Sequence, residues 1–484
     1  MRYFLYIFLV SLFVVSCQIE DDNAPAPDEA FIKYYGELSS YEASDIEIVY
    51  EAGIPVGLVV FGSVVSDFGD KDYYVLRTDL DGNLINSTSF GYSDTLDIDG
   101  EPGADDWTGD DVRDRFRADE TAGQIQYVTD IGDGSPGYAI VGTSSITINA
   151  LQVSDWKRLT FGLLSTNLEP RTFRLDTLFA RSARTADELL DFEGKDVIEL
   201  SVNPGILVVG SREFDRGGGD SDFDNYFIKV DLVNETIIFE ETQGIVGDDE
   251  DDQLIRGFEK TNGNLVMIGN SSTPSLLGEN GGDNGTNVFY LETDPNGTPF
   301  NSAAYGLEDT TNAAVFNDFA SDAIKSSSGF SIVGTSSTSA NQEFGFLINL
   351  SNNGVYLSGS SHDNSVYQDH GGTTVVSIET RGIGVTQALD NKIIMVGQYP
   401  SFSFTDASNV SYARSAEGMF AKFGQGGAHL PAEESFFGLA DGNDEIVDAV
   451  TLPDGKIIAV ANVDFGGGVK LISIIKLNAD GSLD

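Results

Sequence analysis

One short phrase recurs seven times along the chain and limits its fold more than any other feature. A turn is followed by about four apolar residues, then glycine, then a small or polar residue. It reads Gly57-Leu-Val-Val-Phe-Gly62-Ser63 and returns as Gly137-Tyr-Ala-Ile-Val-Gly142-Thr143. The next copies end at Gly210, Gly269, Gly334 and Gly397, and the seventh has Ala461 in the glycine place. Successive anchors are 80, 68, 59, 65, 63 and 64 residues apart. Such a run, apolar at every position, predicts a strand packed on both faces. The closing glycine has two candidate roles, close approach of neighbouring sheets or a β-bulge.

Around each anchor the pattern alternates with period two. A strand that often opens with aspartate precedes it, as at Asp45, Asp196, Asp322 and Asp444. A third strand follows, ending in a turn such as Asp81-Gly82 or Asn296-Gly297, which are hairpin signals. A fourth often ends in an aromatic and glycine, as at Phe90-Gly91, Tyr305-Gly306 and Phe437-Gly438. Four strands, A to D, repeated seven times predict an all-β fold, a β-propeller of seven four-stranded blades. The last repeat lacks its D strand, while Phe31-Ile-Lys-Tyr-Tyr35-Gly36 reads as a D strand without a repeat. The expectation is that this N-terminal strand closes the last blade and removes free sheet edges. Residues 31–484 would then be one propeller domain.

Residues 1–16 carry Arg2 and an apolar run from Tyr3 to Val15. That run suits a signal peptide and is too short to span a bilayer. Val14-Val15-Ser16-Cys17 resembles the lipobox of bacterial lipoproteins, and Cys17 is the chain's only cysteine. The resemblance implies a lipid anchor on Cys17, with residues 17–30 as a lipidated acidic tether. The cluster Glu20-Asp21-Asp22 resembles the export signal of Bacteroidota-type surface lipoproteins, which implies display from the outer membrane. The repeats, with phrases such as "Gly-Tyr-x-x-x-Gly-Thr-Ser", resemble the degenerate propeller repeats of secreted lipoproteins of that group.

The chain holds 77 acidic and 27 basic residues, a net charge of −50. Nucleic-acid binding needs the opposite balance, so that class is excluded. A single cysteine excludes an intrachain disulfide framework. The motifs Gly-x-Ser-x-Gly and His-Glu-x-x-His, the P-loop and the Rossmann glycine set are all absent.

Function is expected on one face. The D–A and B–C connections, among them 92–120, 147–157, 213–225, 271–287, 360–382 and 399–417, are read as long loops, while the A–B and C–D turns are short. The segment 94–114 is densest in carboxylates, with Asp97, Asp99, Asp105, Asp106 and Asp110 as candidate ligands for Ca²⁺. The alternative there is a solvated acidic loop. Trp107 and Trp156 are the only tryptophans and read as ligand-binding aromatics in or beside these loops, able to stack on sugar or anchor a protein. The alternative for each is a cover over the core. Thr185 and Glu188 form a capping box that predicts a short helix over 185–192. His362-Asp363 and Asp369-His370 share a loop and could reach one metal, although their spacing fits no zinc pattern. The strand-opening aspartates would ring the channel mouth, holding a cation or bonding backbone. The leading functional expectation is a non-catalytic binding or scaffold module for a glycan or an envelope protein. The alternative is a carbohydrate hydrolase or lyase using carboxylates in the funnel.

Overall fold

The computed structural model describes residues 30–91 (apart from 38, 67 and 68), 118–148, 153–171, 191–215, 221–243, 251–272, 285–307, 316–338, 343–362, 380–399, 402–405, 411–438 and 442–483. These build seven four-stranded antiparallel sheets. The A strands are Tyr41–Glu51, Ala118–Val128, Phe192–Leu200, Asp252–Glu259, Phe316–Lys325, Arg381–Gln387 and Glu445–Thr451. Each touches the A strand before and after it, and the seventh touches the first, so the strands close a ring around a channel. The seven-bladed propeller is therefore the fold.

Closure uses the strand expected for it. Phe31–Tyr35 pairs antiparallel with Lys470–Leu477, in register Phe31 to Lys476 and Tyr35 to Ile472, and completes blade 7. Phe31 and Tyr35 are buried between blades 7 and 1. The Tyr35 hydroxyl donates to the Gly82 carbonyl of blade 1 at 2.5 Å, and Lys33 Nζ donates to the Asp81 carbonyl at 2.6 Å. Tyr305 makes the same bond from blade 4 to Gly354 of blade 5. In both places the aromatic of the aromatic-glycine phrase locks onto the C–D turn of the following blade.

The core is divided into apolar seams, one between each pair of adjacent blades. Strand B of blade 1 (Ile54–Val65) shows why its apolar run is unbroken. Leu58 and Val60 pack toward blade 7, while Val59 and Phe61 pack toward blade 2. Period-two alternation sends successive side chains to opposite faces, and here both faces are buried.

The anchor glycine answers to the bulge. In blades 1 to 6 it pairs with the A-strand residue just before a register shift, as Ala43↔Gly62, Gly194↔Gly210 and Ala320↔Gly334, and Ala461 takes that place in blade 7. A Cβ on Gly210 would meet the Glu193 carbonyl oxygen at 1.9 Å, and one on Gly334 the Phe319 oxygen at 2.0 Å. The bulge turns the next A-strand side chains toward the axis.

Three connections differ from expectation. Strand B of blade 2 reaches Ile148 and strand C starts at Val153, so most of 147–157 is strand. In blade 3 the hairpin extends to Asp215 and resumes at Ser221. The β-branched residues Thr143, Ile146, Thr147 and Ile148 favour the extension in blade 2. Within 399–417, Phe402–Thr405 and Ser411–Arg414 form a separate two-stranded hairpin. Of the helix expected over 185–192, residues 185–190 lie outside the described residues, and Phe192 already belongs to strand A of blade 3.

Candidate functional site

The bulges place one residue per blade in a ring across the channel: Asp45, Gln124, Asp196, Arg256, Asp322, Gly384 and Asp448. The four aspartates occupy alternate blades 1, 3, 5 and 7. Each reaches one blade onward and accepts a backbone N–H there. Asp45 Oδ2 accepts from Ile125 at 2.8 Å, Asp196 Oδ2 from Gly257 at 2.7 Å and Asp322 Oδ2 from Val385 at 2.8 Å. Asp448 Oδ2 accepts from Ile46 at 3.2 Å, across the closure. Asp196, Asp322 and Asp448 also accept from the next N–H of their own strands. Strand A is the edge of each sheet, with no further strand to take these N–H groups, and leaving them unpaired would be costly.

Arg256 supplies the counter-charge. Its Nε donates to Asp322, its Nη1 lies 3.4 Å from Asp196 Oδ1, and Nη1 also donates to the Gln124 side chain in blade 2. One guanidinium thus links blades 2, 3, 4 and 5. Burial pulls its pKa down, but Asp322, Asp196, Asp45 and Asp448 outweigh that, so its charge is held more firmly than usual. Burial pushes Asp196 up to about 6 against the pull of Arg256, and Asp322 is raised for the same reason. Asp448 is raised well above the carboxylate range by burial, by the charges of Asp45 and Asp322, and by its hydrogen bond with Asp45.

Asp45, Gln124, Asp196, Arg256 and Asp448 of the ring form the floor of a cavity of about 470 Å³ that extends along all seven A strands toward the A–B turns. Above the floor the wall is mixed: Ile198, Phe258, Ile324 and Val450 are apolar, and its polar groups include Gln126, Thr386 and Lys325. Glu47 is also there. Its side chain is densely surrounded yet keeps contact with the channel, and it has no hydrogen bond or ion pair to a described residue. Burial, then the charges of Asp45 and Asp196, push it up to about 8 against the opposing Arg256.

The sequence candidates fare unevenly. Asp45, Asp196 and Asp322 meet in the channel and bond backbone N–H groups, and Arg256 of the same chain lies beside Asp196 and Asp322. Asp444 does not join them. It lies just before its A strand and accepts from the Asp464 N–H at 2.9 Å, while Asp448 takes the channel place. Trp156 falls within strand C of blade 2 (Val153–Ser165), opposite Ile146. Cys17, Trp107 and the acidic set Asp97, Asp99, Asp105, Asp106 and Asp110 lie outside the described residues. So does His370, whereas His362 is the fully buried last residue of strand D of blade 5 (Tyr356–His362). Arg256 and Glu47 escaped the sequence reading. Their places follow from counting along strand A from each bulge partner, which only the strand pairing reveals.

No protein-family model and no curated protein matches this chain. Solved structures resemble it in fold. An unknown-function protein from Dyadobacter fermentans aligns at 11% identity over 93% of this chain and 97% of its own, with a TM-score of 0.38. The leech intramolecular trans-sialidase aligns at 10% identity over 93% of this chain and 70% of its own, with a TM-score of 0.42. The intramolecular trans-sialidase of Ruminococcus gnavus aligns at 11% identity over 94% and 98%, with a TM-score of 0.40. At this distance the likeness concerns architecture, and fold does not carry activity with it.

Proposed function

We propose that this chain is a lipid-anchored module of the outer-membrane surface that binds a glycan or a protein without transforming it. One observation carries the non-catalytic half. Every ring aspartate is committed to backbone N–H groups of the adjacent blade, which leaves Glu47 as the unengaged carboxyl among the described residues of the cavity. Glycoside hydrolysis ordinarily needs two carboxyl groups in separate roles. The anchor rests on the lipobox at Cys17. The binding face rests on the placement of the long connections: those spanning 92–117, 172–190, 273–284 and 363–379 all leave from the D–A and B–C end of the blades. Trp107 and the candidate Ca²⁺ ligands Asp97 to Asp110 belong to the first of these.

A second reading has its own support. A carboxyl that keeps its proton up to about pH 8 is suited to general acid catalysis. A hydrolase or lyase would then use Glu47.

A glycan array combined with a hydrolysis screen on the full chain separates the two. The binding module predicts saturable binding, weakened by Trp107→Ala, with no turnover. Turnover abolished by Glu47→Gln would replace it with the enzyme. Cys17→Ala should abolish membrane fractionation and leave the propeller folded. Melting that rises in Ca²⁺ beyond matched NaCl, and not in Asp97→Ala/Asp99→Ala, would place the ion in the acidic loop.

A further inference from the structure

The seam between blades 5 and 6 brings together three side chains distant in sequence. His362 ends strand D of blade 5, while His429 and Glu434 lie on the connection between strand C of blade 6 (Glu417–Phe423) and strand D (Ser435–Phe437). His362 Nε2 stands 2.8 Å from Glu434 Oε1, and His429 Nε2 stands against the same oxygen. One ligand atom from each lies within 4.8 Å of the others. The side chains are 0%, 14% and 8% exposed for His362, His429 and Glu434.

The protons decide what this cluster can hold. Thr380 Oγ1 accepts from the Gly345 N–H at 2.9 Å, and its single hydroxyl proton goes to the His362 carbonyl at 3.0 Å. Its contact with His362 Nδ1 at 3.3 Å then has the ring as donor. That tautomer leaves Nε2 of a neutral ring bare, with a lone pair facing a carboxylate oxygen. His429 Nε2 is buried and makes no hydrogen bond of good geometry, although it faces the same oxygen. One bare nitrogen of His362, one nitrogen of His429 without a hydrogen-bond partner and one carboxylate therefore converge. The two ring centroids lie 4.5 Å apart. A single divalent ion satisfies all three atoms at once.

We propose that His362, His429 and Glu434 form a binding site for a divalent transition ion of the zinc class, which pins blade 5 to blade 6. Two imidazoles and a carboxylate suit zinc and disfavour Ca²⁺ and Mg²⁺, which prefer oxygen. Tetrahedral bonds of about 2.0–2.1 Å put ligand atoms about 3.3 Å apart, within the spread of this trio. Thr380 plays the outer part, accepting the second ring N–H of a metal-bound histidine and fixing its orientation. Three protein ligands leave a fourth position open to water.

The test uses the untagged full chain, stripped with chelator and titrated with Zn²⁺ and with Co²⁺. High salt and excess Mg²⁺ suppress loose binding to so acidic a surface. The expected result is one tight equivalent of Zn²⁺, a visible Co²⁺ absorption of low-symmetry four-coordinate type, and a raised melting temperature. His429→Gln and Glu434→Gln should each weaken binding by about tenfold or more. His429 is the most exposed of the three, so its variant carries the result even if His362→Gln fails to fold. A folded wild type without saturable Zn²⁺ binding, or an unchanged affinity in folded His429→Gln, would overturn the site and leave a hydrogen-bonded His-Glu-His cluster.

Discussion

Asp45 of the first blade and Asp448 of the seventh lie side by side where the ring closes, with Asp448 Oδ2 accepting from the Ile46 N–H at 3.2 Å. Arithmetic puts them together. Aspartate occupies alternate blades, and an alternating pattern around an odd ring must place two like members side by side. The pair falls at the seam that Phe31–Tyr35 also closes. Two buried carboxylates in contact cannot both be charged, and Asp448 is raised well above its ordinary range, so one proton belongs to the fold here.

That proton makes stability fall as pH rises. An unfolded aspartate releases its proton near pH 4, whereas Asp448 keeps it when folded, so the native state binds more protons over the interval between the two values. Asp448→Asn should flatten the fall in melting temperature as pH rises above the ordinary aspartate range. It should also cost about 1 kcal/mol at pH 5, because the Ile46 N–H loses its acceptor. A wild-type slope retained in the variant would remove the shared proton.

Glu47 works in the same direction. Its folded value of about 8 means that stability is lost between the ordinary glutamate range and pH 8. At pH 5 the carboxyl is neutral in the fold, and Glu47→Gln should change little. At pH 9 the variant should be more stable by roughly 1–3 kcal/mol, since each pKa unit is worth about 1.4 and channel water screens part of it. Urea unfolding at the two pH values is the measurement.

The closing strand makes a claim about few residues with wide effect. Phe31 is 8% exposed, caps Gly82 of blade 1, and has Lys33 and Lys476 over its ring. Phe31→Ala should cost about 3–4 kcal/mol. Ile32, on the same strand but 39% exposed, should lose less than about 0.5 when cut to alanine. Equal effects from the two would mean that the strand does not close the ring.

Blade number, strand order and closure were legible because stacking on both faces leaves an unbroken apolar run, and nothing else in this chain repeats so. The channel was half legible. Asp444 lies seventeen residues before Ala461, the spacing of Asp45 before Gly62, and so seemed its equivalent. The A–B hairpin of blade 1 is four residues longer than that of blade 7, as the pairs Asp45↔Phe61 and Asp448↔Val460 show, which moves the channel place to Asp448. Arg256 carries no local signal, since its meaning depends on the aspartates of the flanking blades. His362, His429 and Glu434 are joined by a seam between blades, and no spacing along the chain foretells that.

The central claim is that the charged ring holds the blades together and does no chemistry. Urea unfolding of Arg256→Met at pH 7 tests it most directly. The variant keeps the bulk of the side chain and strands Asp196 and Asp322 without their cation. Removing one partner of a buried charge cluster costs about 3–5 kcal/mol, and a loss of that size with ligand binding intact in the folded fraction is the expected result. Wild-type stability in Arg256→Met would contradict the account and return the channel to the search for a catalytic site.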